Sequence, residues 1–128
     1  MNARPTTAPQ RVLALGLDPA GVDASELGGL DAKLVRAFIE QQLDRVRSLG
    51  YTVDTCLVNA DDTAETVTLQ LLAAAHYDCV LVGAGLRAEA RLLLFERLLN
   101  LVHEHAPSAR ICFNSSPADT AEAVKRWI

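Results

Sequence analysis

Four short apolar segments occur along the chain at intervals that suit the strands of one sheet. The first is a continuous run, RVLALGL, at residues 11–17, and it stops at Asp18-Pro19. A continuous apolar run that ends in turn residues is typical of a strand buried on both faces. The other predicted strands cover residues 51–58, 79–82 and 110–113.

Each of these segments is followed by a stretch whose apolar residues recur with the helical period. Asp62 with Glu65 three places later predicts the start of the second helix, and Ser116 before a proline predicts the start of the last. The loop at residues 18–31 is longer than an ordinary strand-to-helix link, which indicates a functional loop. The predicted helices cover residues 32–49, 63–76, 88–105 and 117–128.

Strict alternation of strand and helix predicts an α/β fold with a parallel sheet and helices on both faces, a three-layer sandwich. Right-handed crossovers favour the strand order 2-1-3-4. The chain then reverses direction between the first and third strands, where a ligand crevice is expected at the strands' carboxyl ends. We expect one such domain at residues 11–128 after a flexible N-terminal tail at residues 1–10.

The third helix has an unusually broad apolar surface, which includes Leu92, Leu94, Phe95, Leu98 and Leu99. A helix that covers one face of a sheet needs a narrower stripe. Two interpretations fit this breadth: burial between neighbouring helices, or a homodimer interface. The fourth strand would also be an uncovered edge, which favours a homodimer formed through the third helix and this edge.

Composition narrows the classes of function. The 128 residues carry a net charge of −4 with a pI near 5.3 and only two lysines, which argues against nucleic acid as a partner. Neither a signal peptide nor a membrane-spanning run is predicted, so we expect a cytoplasmic protein. The three cysteines lie far apart in apolar segments and are interpreted as buried small hydrophobes.

The segment YDCVLVGAGLR at residues 77–87 is the strongest indication of a site, because a strand runs into a turn with two glycines and then a helix. Such a turn can bring backbone N–H groups onto an anion. The loops after the first and fourth strands are expected to lie beside this turn and to complete the site. The predicted ligand-binding residues are Asp18, Gly83, Ala84, Gly85, Arg87, Asn114 and Ser115.

Each of these residues also has a plain structural interpretation. Asp18 precedes a proline and could open a turn, Arg87 could be a solvated residue at a helix start, and Ser116 could be an N-cap alone. GAGLRA has only two of the three glycines of a dinucleotide fingerprint, and no GxSxG or P-loop pattern occurs. His103 and His105 point to different sides of a helix and cannot chelate one ion together.

The span 11–128 resembles the flavodoxin-like group of small α/β domains. Asp18 and Ser115 or Ser116 are similar to residues of response-regulator receiver domains, but Gly83 stands where their phospho-accepting Asp would be. Residues 43–86 resemble cobalamin-binding domains, yet DPAGVD replaces their DxHxxG signature, whose His is the axial ligand. The resemblance implies an architecture and a place for a site, and it assigns no cofactor.

These patterns favour a non-catalytic or sensory module that binds a small anion, a metabolite or a partner protein. The alternative is a small enzyme acting on a phosphorylated or carboxylated metabolite. In that case Asp18 would be the general base, and Arg87 with the Gly83–Gly85 amides would stabilise the anion.

Overall fold

The computed structural model describes residues 9–128, and its four strands follow the four apolar segments. All pairings are parallel and the strand order is β2-β1-β3-β4, as predicted. Residues 1–8 of the predicted tail lie outside the described residues. The strands are β1 (Arg11–Leu17), β2 (Thr52–Val58), β3 (Cys79–Val82) and β4 (Arg110–Phe113).

Helices cover both faces of this sheet, which gives three layers. One core contains side chains of α1, α4 and the sheet, and the other contains side chains of α2, α3 and the opposite sheet face. No helix of the described residues is long and apolar enough to cross a membrane. The helices are α1 (Ala32–Ser48), α2 (Thr63–Ala74), α3 (Leu92–His105) and α4 (Thr120–Lys125).

Hydrogen bonds to the neighbouring strand continue one residue past the carboxyl ends of β3 and β1. The Gly83 N–H donates to the Leu15 carbonyl at 2.8 Å, and the Asp18 N–H donates to the Val58 carbonyl at 2.8 Å. The loops after β1 and β3 are therefore fixed at the same edge of the sheet, where the chain reverses direction.

The third helix begins later than predicted. Residues 84–87 and 89–91 form two short 3₁₀ turns, because Ala88 between them has an extended backbone with φ −64° and ψ 146°. This arrangement buries Leu86 completely. The last helix likewise begins with a 3₁₀ turn at residues 117–119 and ends at Lys125.

Asp62 does not form the predicted capping box. Its backbone is already helical and its side chain makes no cap hydrogen bond. The neighbouring Asp61 accepts the Thr63 N–H at 2.9 Å in its place. Glu65 instead pairs with Arg97 at 2.6 Å and so links α2 to α3.

The predicted start of the last helix is confirmed. The Ser116 hydroxyl accepts the Ala118 N–H at 3.3 Å, and the Asp119 carboxylate accepts the Ser115 N–H at 2.9 Å. Hydrogen bonds to the Ser115 side chain are the main cause that lowers the pKa of Asp119, with burial opposing. This carboxylate fixes the loop that follows β4.

We predict that Asp119→Ala lowers the free energy of unfolding at pH 7 by about 1 kcal/mol, the usual cost of losing a cap. Because folding lowers the pKa of Asp119, its contribution is complete above the unfolded pKa and disappears as pH falls through the folded value. Urea unfolding should therefore show the difference between wild type and variant shrinking below about pH 4.

Asp62→Ala is the matched control, because Asp62 also begins a helix but makes no side-chain cap bond. It should change stability by less than about 0.5 kcal/mol at either pH. Equal losses in the two variants would contradict the assignment of the cap to Asp119.

Candidate functional site

A cavity of about 80 Å³ lies at the predicted crevice, above the carboxyl ends of β1 and β3. Most of its lining is apolar and comes from β1, β2, β3 and α1. Of the seven predicted site residues, Gly83, Ala84 and Asn114 line it, whereas Asp18, Gly85, Arg87 and Ser115 do not. Its lining is Ala14, Leu15, Gly16, Leu17, Ile39, Leu43, Thr55, Leu57, Leu81, Gly83, Ala84, Asn114, Pro117 and Thr120.

Small residues on β1 and directly after β3 leave this space open. Ala14 pairs with Thr55 on one side and Leu81 on the other, and all three line the cavity. A Cβ on Gly83 would lie 3.6 Å from the Gly16 Cα, in ordinary van der Waals contact. The cavity therefore follows from short side chains on β1 and at the end of β3.

The second glycine of the turn permits close packing. A Cβ on Gly85 would lie 3.3 Å from the Leu17 Cβ, which is tighter than most such contacts. Neither Gly83 nor Gly85 is required by a left-handed backbone. The residues with positive φ in the described part of the chain are Gly28, Gly29 and Gly50. The glycine spacing thus has a packing function between the β3 loop and β1.

Arg87 joins the ends of β3 and β4. Its guanidinium donates to the Val82 carbonyl at 2.5 Å and to the Asn114 carbonyl, and it lies 4.8 Å from the centre of the Phe113 ring. Burial lowers the pKa of Arg87, with the charge of Asp119 opposing, although a guanidinium stays protonated at neutral pH. Its donors therefore satisfy strand-end carbonyls.

Asp18 does not line the cavity. Its carboxylate accepts the Ala20 N–H at 3.0 Å and an Arg36 N–H at 2.5 Å. Burial would raise the pKa of Asp18, but these two hydrogen bonds and the charge of Arg36 outweigh it and lower the pKa. The Ala20 contact supports the interpretation of Asp18 as a turn-making residue. Asp18 also lines an open groove with Lys33 and Arg36, and this groove adjoins the cavity because both are lined by Thr55 and Leu57.

Asn114 and Thr120 form the polar end of the cavity. The Asn114 amide donates to the Thr120 hydroxyl at 3.1 Å, and that hydroxyl donates to the Pro117 carbonyl at 2.7 Å. The Ser115 hydroxyl points elsewhere and donates to Asp119 at 2.5 Å. In the part of the chain that the structure describes, no buried side-chain nitrogen or oxygen lacks a partner.

The cysteines and histidines lie away from this cavity. Cys56, Cys79 and Cys112 are buried free thiols, as predicted, and the sulfurs of Cys79 and Cys112 are 3.4 Å apart. His76 is 3.6 Å from Asp78, and His105 is 3.2 Å from its neighbour Glu104. Within residues 9–128, no three His, Cys, Asp or Glu side chains come together as metal ligands.

Sequence reasoning missed the residues that give the cavity its apolar character. Ile39 and Leu43 come from α1, and Thr120 comes from α4. Ile39 and Leu43 are four residues apart in α1, a spacing that places both on one face of the helix. Helical spacing identifies a side chain that faces inward, but it does not show whether that side chain packs in the core or lines a cavity.

No protein-family model matches the chain, and no curated protein matches it.

We predict that Arg87→Met destabilises the unliganded protein by about 1–3 kcal/mol, because the carbonyls of Val82 and Asn114 lose a charged donor. Urea unfolding measures this loss. Arg97→Met is the control, since Arg97 makes only an exposed pair with Glu65 and should cost less than about 1 kcal/mol. Unchanged stability in Arg87→Met would indicate that this guanidinium is available for an external anion.

Proposed function

We propose that this protein is a non-catalytic binding module, and that its cavity between β1, β3, α1 and α4 receives the small apolar end of a ligand or of a partner's side chain. The observation that carries the proposal is the cavity of about 80 Å³ at the sheet's chain reversal, with apolar walls and one polar end at Asn114 and Thr120. Crevices at this place bind ligands in open α/β sheets.

The size of the cavity sets the scale of the ligand. Drug-sized pockets have volumes of about 300–1,000 Å³, and a dry cavity of about 150 Å³ holds benzene. A space of about 80 Å³ accommodates a group of a few carbon atoms. The rest of the ligand would lie outside the cavity.

The sequence positions of Arg87 and Asp18 suggested an anionic ligand, but their contacts in the structure support one less well. Arg87 donates to backbone carbonyls, and Asp18 is paired with Arg36. A phosphate or carboxylate would have to compete with these contacts. An apolar group needs no such exchange, so we favour it over the predicted small anion.

The enzyme alternative rests on Asp18 as a general base. A lowered pKa makes this carboxylate a weak base at neutral pH, since an effective base has a pKa near the working pH. Asp18 also lies outside the cavity lining. These observations support a binding function ahead of a catalytic one.

We predict that a compound bearing a short branched alkyl or small aromatic group raises the melting temperature of the wild-type protein. A ligand at 100 times its Kd stabilises the folded state by about 2.7 kcal/mol. Ala14→Val should abolish this shift, because Ala14 lines the cavity and added methyl groups would fill it. A thermal-shift screen of apolar compounds, phosphates and organic acids measures both effects.

Ala90→Val is the matched control, because Ala90 is exposed and lies away from the cavity. It should retain the full shift. Stabilisation by phosphates or dicarboxylates alone, unaffected by Ala14→Val, would contradict the cavity as the site and favour the anion hypothesis.

A homodimer and a cytoplasmic location stay predictions. The exposure of two leucines at the start of α3 supports self-association, since Leu92 is 57% and Leu93 is 68% exposed. We predict that Leu93→Glu shifts a dimer to monomer in light scattering at tens of micromolar protein, whereas Leu34→Glu, on an equally exposed leucine of α1, does not. A monomeric wild type would contradict the dimer.

A further inference from the structure

The open edge of β4 presents unpaired backbone groups. The Arg110 N–H donates to the Asp78 carbonyl at 2.9 Å, so Arg110 and Cys112 direct their peptide groups toward β3. Alternate residues of a strand point their peptide groups in opposite directions within the sheet. Ile111 and Phe113 therefore direct theirs outward.

One of these outward groups is already satisfied. The Phe113 carbonyl accepts a hydrogen bond from Arg126 at 2.8 Å. The Ile111 N–H, the Ile111 carbonyl and the Phe113 N–H have no protein partner among residues 9–128. The edge thus offers two donors and one acceptor in the spacing that an added strand uses.

The two sides of this edge differ in chemistry. On the α3 side the surface is largely apolar: the Phe113 ring lies 5.7 Å from the Phe95 ring, and Leu92 and Leu99 lie one helical turn either side of Phe95. The Arg87 guanidinium, which donates to backbone carbonyls, covers part of the Phe113 ring. Phe113 is 40% exposed and Leu92 is 57% exposed. This side can receive apolar side chains.

On the α4 side the surface is basic. The Arg110 guanidinium lies 5.9 Å from the centre of the Trp127 ring, and Arg126 reaches the edge at the Phe113 carbonyl. Lys125, the last residue of α4, is also exposed. None of these three cations forms an ion pair with a carboxylate of the described residues. This side can receive acidic side chains.

We propose that the β4 edge binds an extended segment of a partner protein in which apolar and acidic residues alternate. The segment would add a fifth strand, with main-chain hydrogen bonds to Ile111 and Phe113. Its residues opposite Ile111 and Phe113 face the apolar side, and its residues opposite Arg110 and Cys112 face the basic side. A segment in which apolar and acidic residues alternate therefore places its apolar side chains on the apolar side and its acidic side chains on the basic side.

Charge also distinguishes this partner from a second copy of β4. Residues directly opposite each other in paired strands lie on the same face of a sheet. A second β4 would therefore add another Arg110 to the basic side, where like charges repel. An acidic strand replaces that repulsion with attraction and leaves the Arg126 contact to Phe113 intact.

Fluorescence polarisation with the full chain tests this proposal. The probes are three labelled hexapeptides: three Val-Glu repeats, three Val residues followed by three Glu, and three Val-Lys repeats. The alternating acidic peptide should bind at least about tenfold more tightly than either of the others, and more weakly as salt rises. Equal affinities for the two acidic peptides would overturn the proposed strand register.

Variants locate the binding. Arg110→Glu and Arg126→Glu should each weaken binding of the alternating acidic peptide by about threefold to tenfold, since each reverses an exposed charge beside the edge. Lys33→Glu, in α1 near β2, should have no effect. An equal loss in Lys33→Glu would show attraction by overall charge and overturn the proposal.

Hydrogen exchange of the wild-type chain gives a readout that depends on no variant. The Ile111 amide should exchange freely without peptide and become protected when the alternating acidic peptide is added. Protection without peptide in a sample that sediments as a dimer would mean that the edge pairs with a second copy. That outcome would overturn the proposal.

Discussion

Hydrogen bonds beyond the last paired residues of β1 fix both loops that border the cavity. Gly83 donates to the Leu15 carbonyl and Asp18 donates to the Val58 carbonyl, so the loops after β3 and β1 leave the sheet at fixed points. The close approach of Gly85 to Leu17 then seats the first 3₁₀ turn against β1. The position of the cavity depends on these contacts, because they hold the Gly83 loop beside Gly16.

The carboxyl end of the sheet also explains why the charged side chains nearby are hydrogen-bonded to other groups of the protein. Carbonyls at the end of a parallel sheet have lost their ladder partners and need donors. Arg87 supplies them to Val82 and Asn114, and Asp119 supplies an acceptor to the amides of the loop after β4. Side chains whose sequence positions resembled a ligand site therefore hold the scaffold together, and the space left between them is apolar.

The architecture could be predicted because it depends on local patterns and on general rules of connection. Four apolar segments, helical periods between them and right-handed crossovers determine the order β2-β1-β3-β4. The choice between neighbouring Asp61 and Asp62 as the cap could not be predicted, because both have the same side chain and only the path of the loop decides which one reaches Thr63. The contacts of Arg87 depend on Asn114, 27 residues away, which no local pattern indicates.

The cavity is also an energetic argument for an occupant. Apolar walls that face an unfilled pocket lack packing contacts, and this loss carries a free-energy cost. One larger residue on β1 would remove most of this cost, since valine suits a buried parallel strand better than Ala14 does. Small side chains at Ala14, Gly16 and Gly83 therefore keep open a volume that packing alone disfavours. A ligand group that enters it recovers the lost contacts, and this gain gives the site a preference for an apolar group of the right size.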